Sequence, residues 1–159
     1  MRSAAIDSAI NATHDPLPAE EYFAAVHDAF ERAVTATSDI RHYYKLGPEV
    51  LCLRFAGPEL VEALTLALSH IEIQPTAPTL TICCWDTQST GVPIVNAPWP
   101  PTAYGPRGHI FGYNTDNIHT LYQPGLDIFH MLNKAKKTGI YLVPNIGTLP
   151  YWIRSFPMR

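Results

Sequence analysis

The chain has 159 residues, of which 47% are hydrophobic and only 16% charged, with 15 prolines and a formal net charge of −3. That length suits one ordinary domain, and the hydrophobic content excludes whole-chain disorder. The acidic balance argues against a general nucleic-acid binder, which needs a basic face.

The charge is unevenly spread. Residues 1–99 hold 5 basic against 12 acidic side chains, and residues 100–159 hold 6 against 2. Either the two ends of one domain attract each other, or Lys134, Lys136, Lys137, Arg154 and Arg159 form a basic surface that meets an acidic peptide or phosphate. Cys52, Cys83 and Cys84 all lie in apolar runs. An odd set of buried-looking thiols is no disulfide framework and implies a reducing, cytoplasmic setting. Neither a signal peptide nor a membrane-spanning run is legible.

In chain order, residues 1–15 read as a loose polar leader and residues 16–159 as one α+β domain. A helix is expected from Pro16 or Pro18 to about Thr37, with Tyr22, Phe23, Val26, Phe30, Ala33 and Val34 on one side. Residues 38–48 read as a connection holding a short extended piece around residues 42–44. The organising stretch is 49–86, read as strand, helix, strand. Residues 50–55 are an apolar run ended by Ala56-Gly57-Pro58, and Pro58 suits the first position of a helix. Leu60, Val61, Leu64, Ala67, Leu68 and Ile71 recur at helical spacing and predict one continuous face that covers a sheet. Leu80 to Trp85 is the second strand, ending at Asp86. There the sheet-end position allows acid/base or metal chemistry, but Thr87, Ser89 and Gly91 favour a turn.

Residues 87–108 contain five prolines and three glycines and predict a long irregular loop. Its Trp99, Tyr104 and Arg107 either form a stacking or peptide-binding surface or tuck over the sheet edge. Short strands at 109–114, 118–122, 126–132 and 140–143, separated by turn residues, predict an antiparallel meander. The expected fold is therefore an N-terminal helix, a strand-helix-strand core and a C-terminal antiparallel meander on one mixed sheet.

No nucleophile elbow, phosphate loop or dinucleotide fingerprint occurs. Cys84 sits among apolar neighbours that raise a thiol pKa instead of activating it. Among seven histidines, His109, His119 and His130 fall one per predicted strand, so with Asp116 they could gather a metal for a small metal-dependent enzyme. His70 reads more simply as a cation at a helix C-terminus. No catalytic residue and no cofactor is nominated.

Three patches carry a resemblance: LRFAGPELVEALTLALSHIE (53–72), LTICCWDTQSTG (80–91) and LPYWIRSFPMR (149–159). They resemble the N-terminal, non-kinase region of bacterial HPr-kinase-related proteins associated with modified-peptide gene clusters. The elements are Phe55-Ala56-Gly57, Trp85-Asp86 with Gly91, and Pro157-Met158-Arg159. In that family a P-loop kinase domain follows the proline-arginine stretch, whereas this chain stops at Arg159, so no catalytic residue transfers. The resemblance implies a non-catalytic domain that recognises a peptide or partner protein, including a separate P-loop kinase subunit. Trp99, Tyr104, Arg107, Tyr151, Trp152 and Arg154 are the expected contact residues. The rival expectations are the histidine metal site and an oligomer-assembly subunit. Neither nucleic acid nor membrane is an expected partner.

Overall fold

The computed structural model of the protein describes residues 17–149. The leader 1–15 and the expected contacts Tyr151, Trp152 and Arg154 lie outside the described residues.

Helix α1 is Ala19–Ala36. Tyr22, Phe23, Val26, Ala29, Phe30 and Ala33 are its buried stripe, at the spacing of one helical face, and Glu20 and Glu21 sit at its positive end. It ends at Thr37, whose N–H donates to the Ala33 and Val34 carbonyls.

The next segment departs from the expected connection. Residues Asp39–Leu46 form a full strand, β1, paired antiparallel with β2, Glu49–Ala56. Leu46 pairs with Glu49, so the hairpin turns through Gly47 and Pro48, with Gly47 at φ +59 where a side chain would be strained. Ile40, His42 and Tyr44 at every second position, among Asp39, Arg41 and Lys45, were the strand signal, masked by its polar content.

The expected core helix is also different. Only α2, Val61–Thr65, is α-helical; Leu66–Ile71 continues as a 3-10 turn into β3, Glu72–Ile73. Pro58 therefore precedes the helix. A 3-10 turn rises about 2.0 Å per residue instead of about 1.5 Å, which carries the chain from the end of β2 back to β1 in few residues. It also rotates the apolar stripe. Leu60 and Leu64 are buried, Leu68 and Ile71 are half-buried, and Leu66 is 72% exposed.

Strand β4, Leu80–Asp86, lies parallel to β2 on one side and to β7, Thr138–Val143, on the other. Strands β5 (Ile118–Gln123), β6 (Ile128–Asn133) and β7 form the expected antiparallel meander. The sheet order is β3-β1-β2-β4-β7-β6-β5, with three parallel strands at the centre and antiparallel strands outside. The central strands are apolar on both faces because a hydrophobic cluster packs against each. Cys83 and Trp85 face the cluster under α1, and Cys84 faces the cluster that holds Leu60 and Leu64. The fold class is α+β, as the sequence predicts.

Arg54 of β2 locks α1 to the sheet. Its guanidinium donates to Glu31 at 2.5 and 3.1 Å and to Asp39 at 2.9 and 3.0 Å, and stands 5.1 Å from the Phe30 ring centre. These bonds pull the Asp39 carboxyl from 3.8 down to about 2, with the Arg54 hydrogen bond the leading cause. A lowered native pKa contributes stability above the unfolded value that is lost as pH falls through the folded one. Unfolding free energy should therefore drop between about pH 4 and pH 2. Arg54→Leu should flatten that limb while lowering neutral-pH stability by about 1–3 kcal/mol, since both acids remain partly exposed. Urea titrations of both proteins across that pH range read the two slopes directly.

The long loop folds back on the sheet. After the single helical turn α3, Thr87–Thr90, it forms two 3-10 turns at Pro101–Ala103 and Pro106–Gly108. The expected strand at 109–114 does not form. His109 and Ile110 make only isolated bridges, to Leu121 and Tyr104. This loop covers the outer edge of β5, which would otherwise present open backbone groups. Gly108 makes the close approach possible: at φ +82, a Cβ there would lie 2.6 Å from the Tyr122 carbonyl oxygen. Gly108→Ala is expected to cost about 2–3 kcal/mol through strain and the forced retreat of the loop. Chemical denaturation measures that loss, and amide exchange should rise along β5.

Candidate functional site

The second face of the sheet is only partly roofed. Because α2 is one short turn, it packs Leu60 and Leu64 against Leu53, Phe55 and Cys84 and leaves a groove of about 340 Å³ across four strands. Leu53 and Leu64 form its closed side. Its floor runs over Ile82 and Cys84 on β4, Gly139 and Tyr141 on β7, His130 and Leu132 on β6, and His119 and Leu121 on β5. Strand alternation places these residues together: Ile82 pairs with Gly139, Gly139 with Leu132, and Leu132 with His119. No Asp, Glu, Lys or Arg lines the groove.

Its polar groups are two imidazoles, a phenol and a thiol. Burial lowers His130 from 6.5 to about 4, so the imidazole is uncharged near pH 7. The His130 ring meets the Tyr141 ring edge-on at 4.9 Å. Tyr141 is 4% exposed, and its hydroxyl has no hydrogen-bond partner among the described residues. Burial pushes its pKa up, as it does for the Cys84 thiol, so neither ionises near neutrality. Volume, apolar lining and a few uncharged polar groups are the attributes of a binding pocket.

The three histidines considered for a metal do not converge. His119 and His130 share the groove face on adjacent strands, each paired with a leucine, but His109 and Asp116 are exposed in loops. Among the described residues no group of three His, Cys, Asp or Glu side chains could hold a metal ion. Asp86 behaves as the turn chemistry predicts. It is buried and caps α3, accepting from the Ser89 N–H at 2.7 Å and from the Ser89 hydroxyl. His70 falls in the last 3-10 turn and is exposed.

The expected loop surface is divided. Trp99 is only 6% exposed and belongs to the core under α1. Its ring centre lies 5.0 Å from Tyr113, 5.2 Å from Tyr22 and 6.3 Å from Phe129, and its Nε1–H donates to the Tyr104 hydroxyl at 3.1 Å. The indole is thus a packing residue, because the loop needs an apolar anchor to stay on the sheet. Tyr104 is half-buried beside Tyr122, and Arg107 is exposed at φ +61. Lys134, Lys136 and Lys137 stand exposed in the β6–β7 turn. Asn133 and Asn117 already hold the amides of Lys136 and Ala135 there.

The groove itself was missed in the sequence. Its signals were the alternation of IHTLYQ, IFHMLN and TGIYLV, which sets histidines and leucines on one face, and a glycine inside a central strand. Among the described residues no helix is long and apolar enough to cross a membrane. No protein-family model, no curated protein and no solved structure matches the chain.

Proposed function

We propose that this chain is a peptide- or protein-recognition domain that holds an apolar segment of a partner polypeptide in the groove across β4, β7, β6 and β5. The observation that carries this reading is an open apolar groove lined by no Asp, Glu, Lys or Arg, with His130 held neutral by burial. An exposed apolar concavity on a folded domain is a place where something docks. Trp99 is no longer among the contact residues of this reading, whereas Tyr104 and Arg107 remain as a second, polar contact on the loop beside β5.

The resemblance to the front part of HPr-kinase-related proteins adds the kind of partner: a precursor peptide of a bacterial maturation cluster, or a separate P-loop kinase subunit. A cytoplasmic setting goes with this reading, since the three cysteines are free and buried. The test is a calorimetric titration with the small peptides encoded beside the gene. Saturable binding, weakened at least tenfold by Leu132→Glu in the groove floor, is the expected result. Binding of none of these peptides, or binding untouched by that charge, counts against the reading.

A further inference from the structure

Three lysines stand together at one end of the groove. Lys134, Lys136 and Lys137 are exposed in the turn that joins β6 to β7, the two strands in the middle of the groove floor. Leu132 and Gly139 line the groove, two residues before Lys134 and two residues after Lys137, so about 7 Å of chain separates each lysine from the lining. The backbone of the turn is held in place. The Lys134 N–H donates to the Asn117 carbonyl at 3.0 Å, the Lys136 N–H to the Asn133 side chain at 3.1 Å and the Lys137 N–H to the Lys134 carbonyl at 3.2 Å. The Lys137 carbonyl in turn accepts from the Thr81 N–H of β4 at 3.0 Å.

The side chains of this turn are not satisfied in the same way. Among the described residues none of the three lysines makes an ion pair. At that end of the sheet Asp116 lies in the turn beside Asn117, and Glu49 lies on the far side of β4, at the start of β2. Residues 100–159 hold only one other acid, Asp127, and the Tyr122 hydroxyl donates to it at the opposite end of the β5–β6 hairpin. Lys137 also sits at φ +50, where glycine is at ease and a residue with a side chain is strained.

We infer that this turn is a cationic lip of the groove, and that the bound segment carries an acidic side chain a few residues from its apolar ones, with the carboxylate meeting Lys134 and Lys137. This deepens the recognition reading and rests on it. Charge complementarity selects the occupant. The groove lining holds no Asp, Glu, Lys or Arg, so ions of the partner stay outside it, and unpaired cations at its end favour a carboxylate over an ammonium group. Exposed pairs are weak and screened by salt, so the lip orients the segment and speeds its arrival more than it adds affinity.

The experiment uses capped hexapeptides, acetyl-Leu-Phe-Leu-Ala-Xaa-Xaa-amide with Xaa as Glu, Gln or Lys, titrated into the isotope-labelled full chain at low and at high sodium chloride. Amide NMR shifts report both affinity and location. At low salt the Glu peptide should shift the β6–β7 turn and bind at least threefold more tightly than the Gln peptide and tenfold more tightly than the Lys peptide. High salt should bring the three together. Lys134→Glu combined with Lys137→Glu should reverse the order. Arg32→Glu combined with Lys45→Glu, the same change of net charge at exposed positions on α1 and β1, should preserve it. If the lip double variant folds poorly, Lys134→Glu alone should abolish the preference for Glu over Gln.

Equal binding of the three peptides, or a preference that the lip variants leave in place, overturns the lip and leaves recognition by the groove standing. Absence of binding by all three removes the lip and the groove reading together. A lip-dependent preference for Glu, combined with failure of every peptide encoded beside the gene, keeps the lip and removes that partner class. Decanoate that binds more tightly than the Glu peptide and displaces it makes a small anionic amphiphile the occupant and overturns the inference.

Discussion

Trp99→Ala is expected to destabilise the protein by about 3–5 kcal/mol, the cost of deleting a fully packed large aromatic. The indole is closed in by Tyr22, Tyr113 and Phe129, and ring pairs of this kind add about 0.5–1.5 kcal/mol each beyond burial. The loss also propagates. Side-chain hydrogen bonds from Tyr22 to the Val95 carbonyl at 2.8 Å and from Trp85 to the Val92 carbonyl at 3.0 Å tie the loop to its surroundings, and the bond from Trp99 to Tyr104 braces it internally. Without the indole, that anchorage loses its centre. A fall in melting temperature of roughly 10 °C or more follows for a domain of this size. The exposed Arg107 gives the contrast: Arg107→Ala should stay within about 0.5 kcal/mol of the parent. Thermal and urea unfolding of the two variants decide the point. A Trp99→Ala protein that melts like the parent would mean that the indole is a surface residue after all.

Leu64→Asp should be at least as damaging. Leu64 is 2% exposed and packs in the cluster with Leu53, Phe55 and Leu60. Removing it forfeits the burial of a leucine, and among the described residues no Lys or Arg belongs to that cluster to pair with the new carboxylate, for a total of about 4 kcal/mol or more. That approaches the whole stability of an average domain, roughly 5–15 kcal/mol, so cooperative unfolding should be lost. The introduced carboxyl would be neutral in acid, so part of the loss should return as pH falls. Leu66→Asp, two residues away and 72% exposed, should change stability by about 0.5 kcal/mol or less. The pair reports on the short α-turn followed by a 3-10 turn. If the two variants proved equally harmful, a longer helix with a wider buried face would be the better description.

Local chemistry in the chain was sufficient for α1, for β2 and β4, and for the β5–β6–β7 meander. Each shows either helical spacing or a short β-rich run bounded by turn residues. Strand β1 was obscure because Asp39, Arg41 and Lys45 stand exposed between Ile40, His42 and Tyr44, which blurs the apolar pattern a strand is recognised by. The stripe from Leu60 to Ile71 was legible as amphipathic, but spacing cannot distinguish one α-helix from an α-turn continued by a 3-10 turn. That choice depends on how far the chain must travel to reach β3.

The sequence by itself determined the α+β class, the opposed directions of Cys83 and Cys84 and the turn-opening role of Asp86, since spacing and turn chemistry act over only a few residues. The tertiary structure alone decided that Trp99 is a packing residue, that His109 stays apart from His119 and His130, and that a groove opens over Gly139. Those outcomes depend on strand order and on the area the short α2 turn can cover. Both are set by contacts between residues tens of positions apart, which no local pattern encodes.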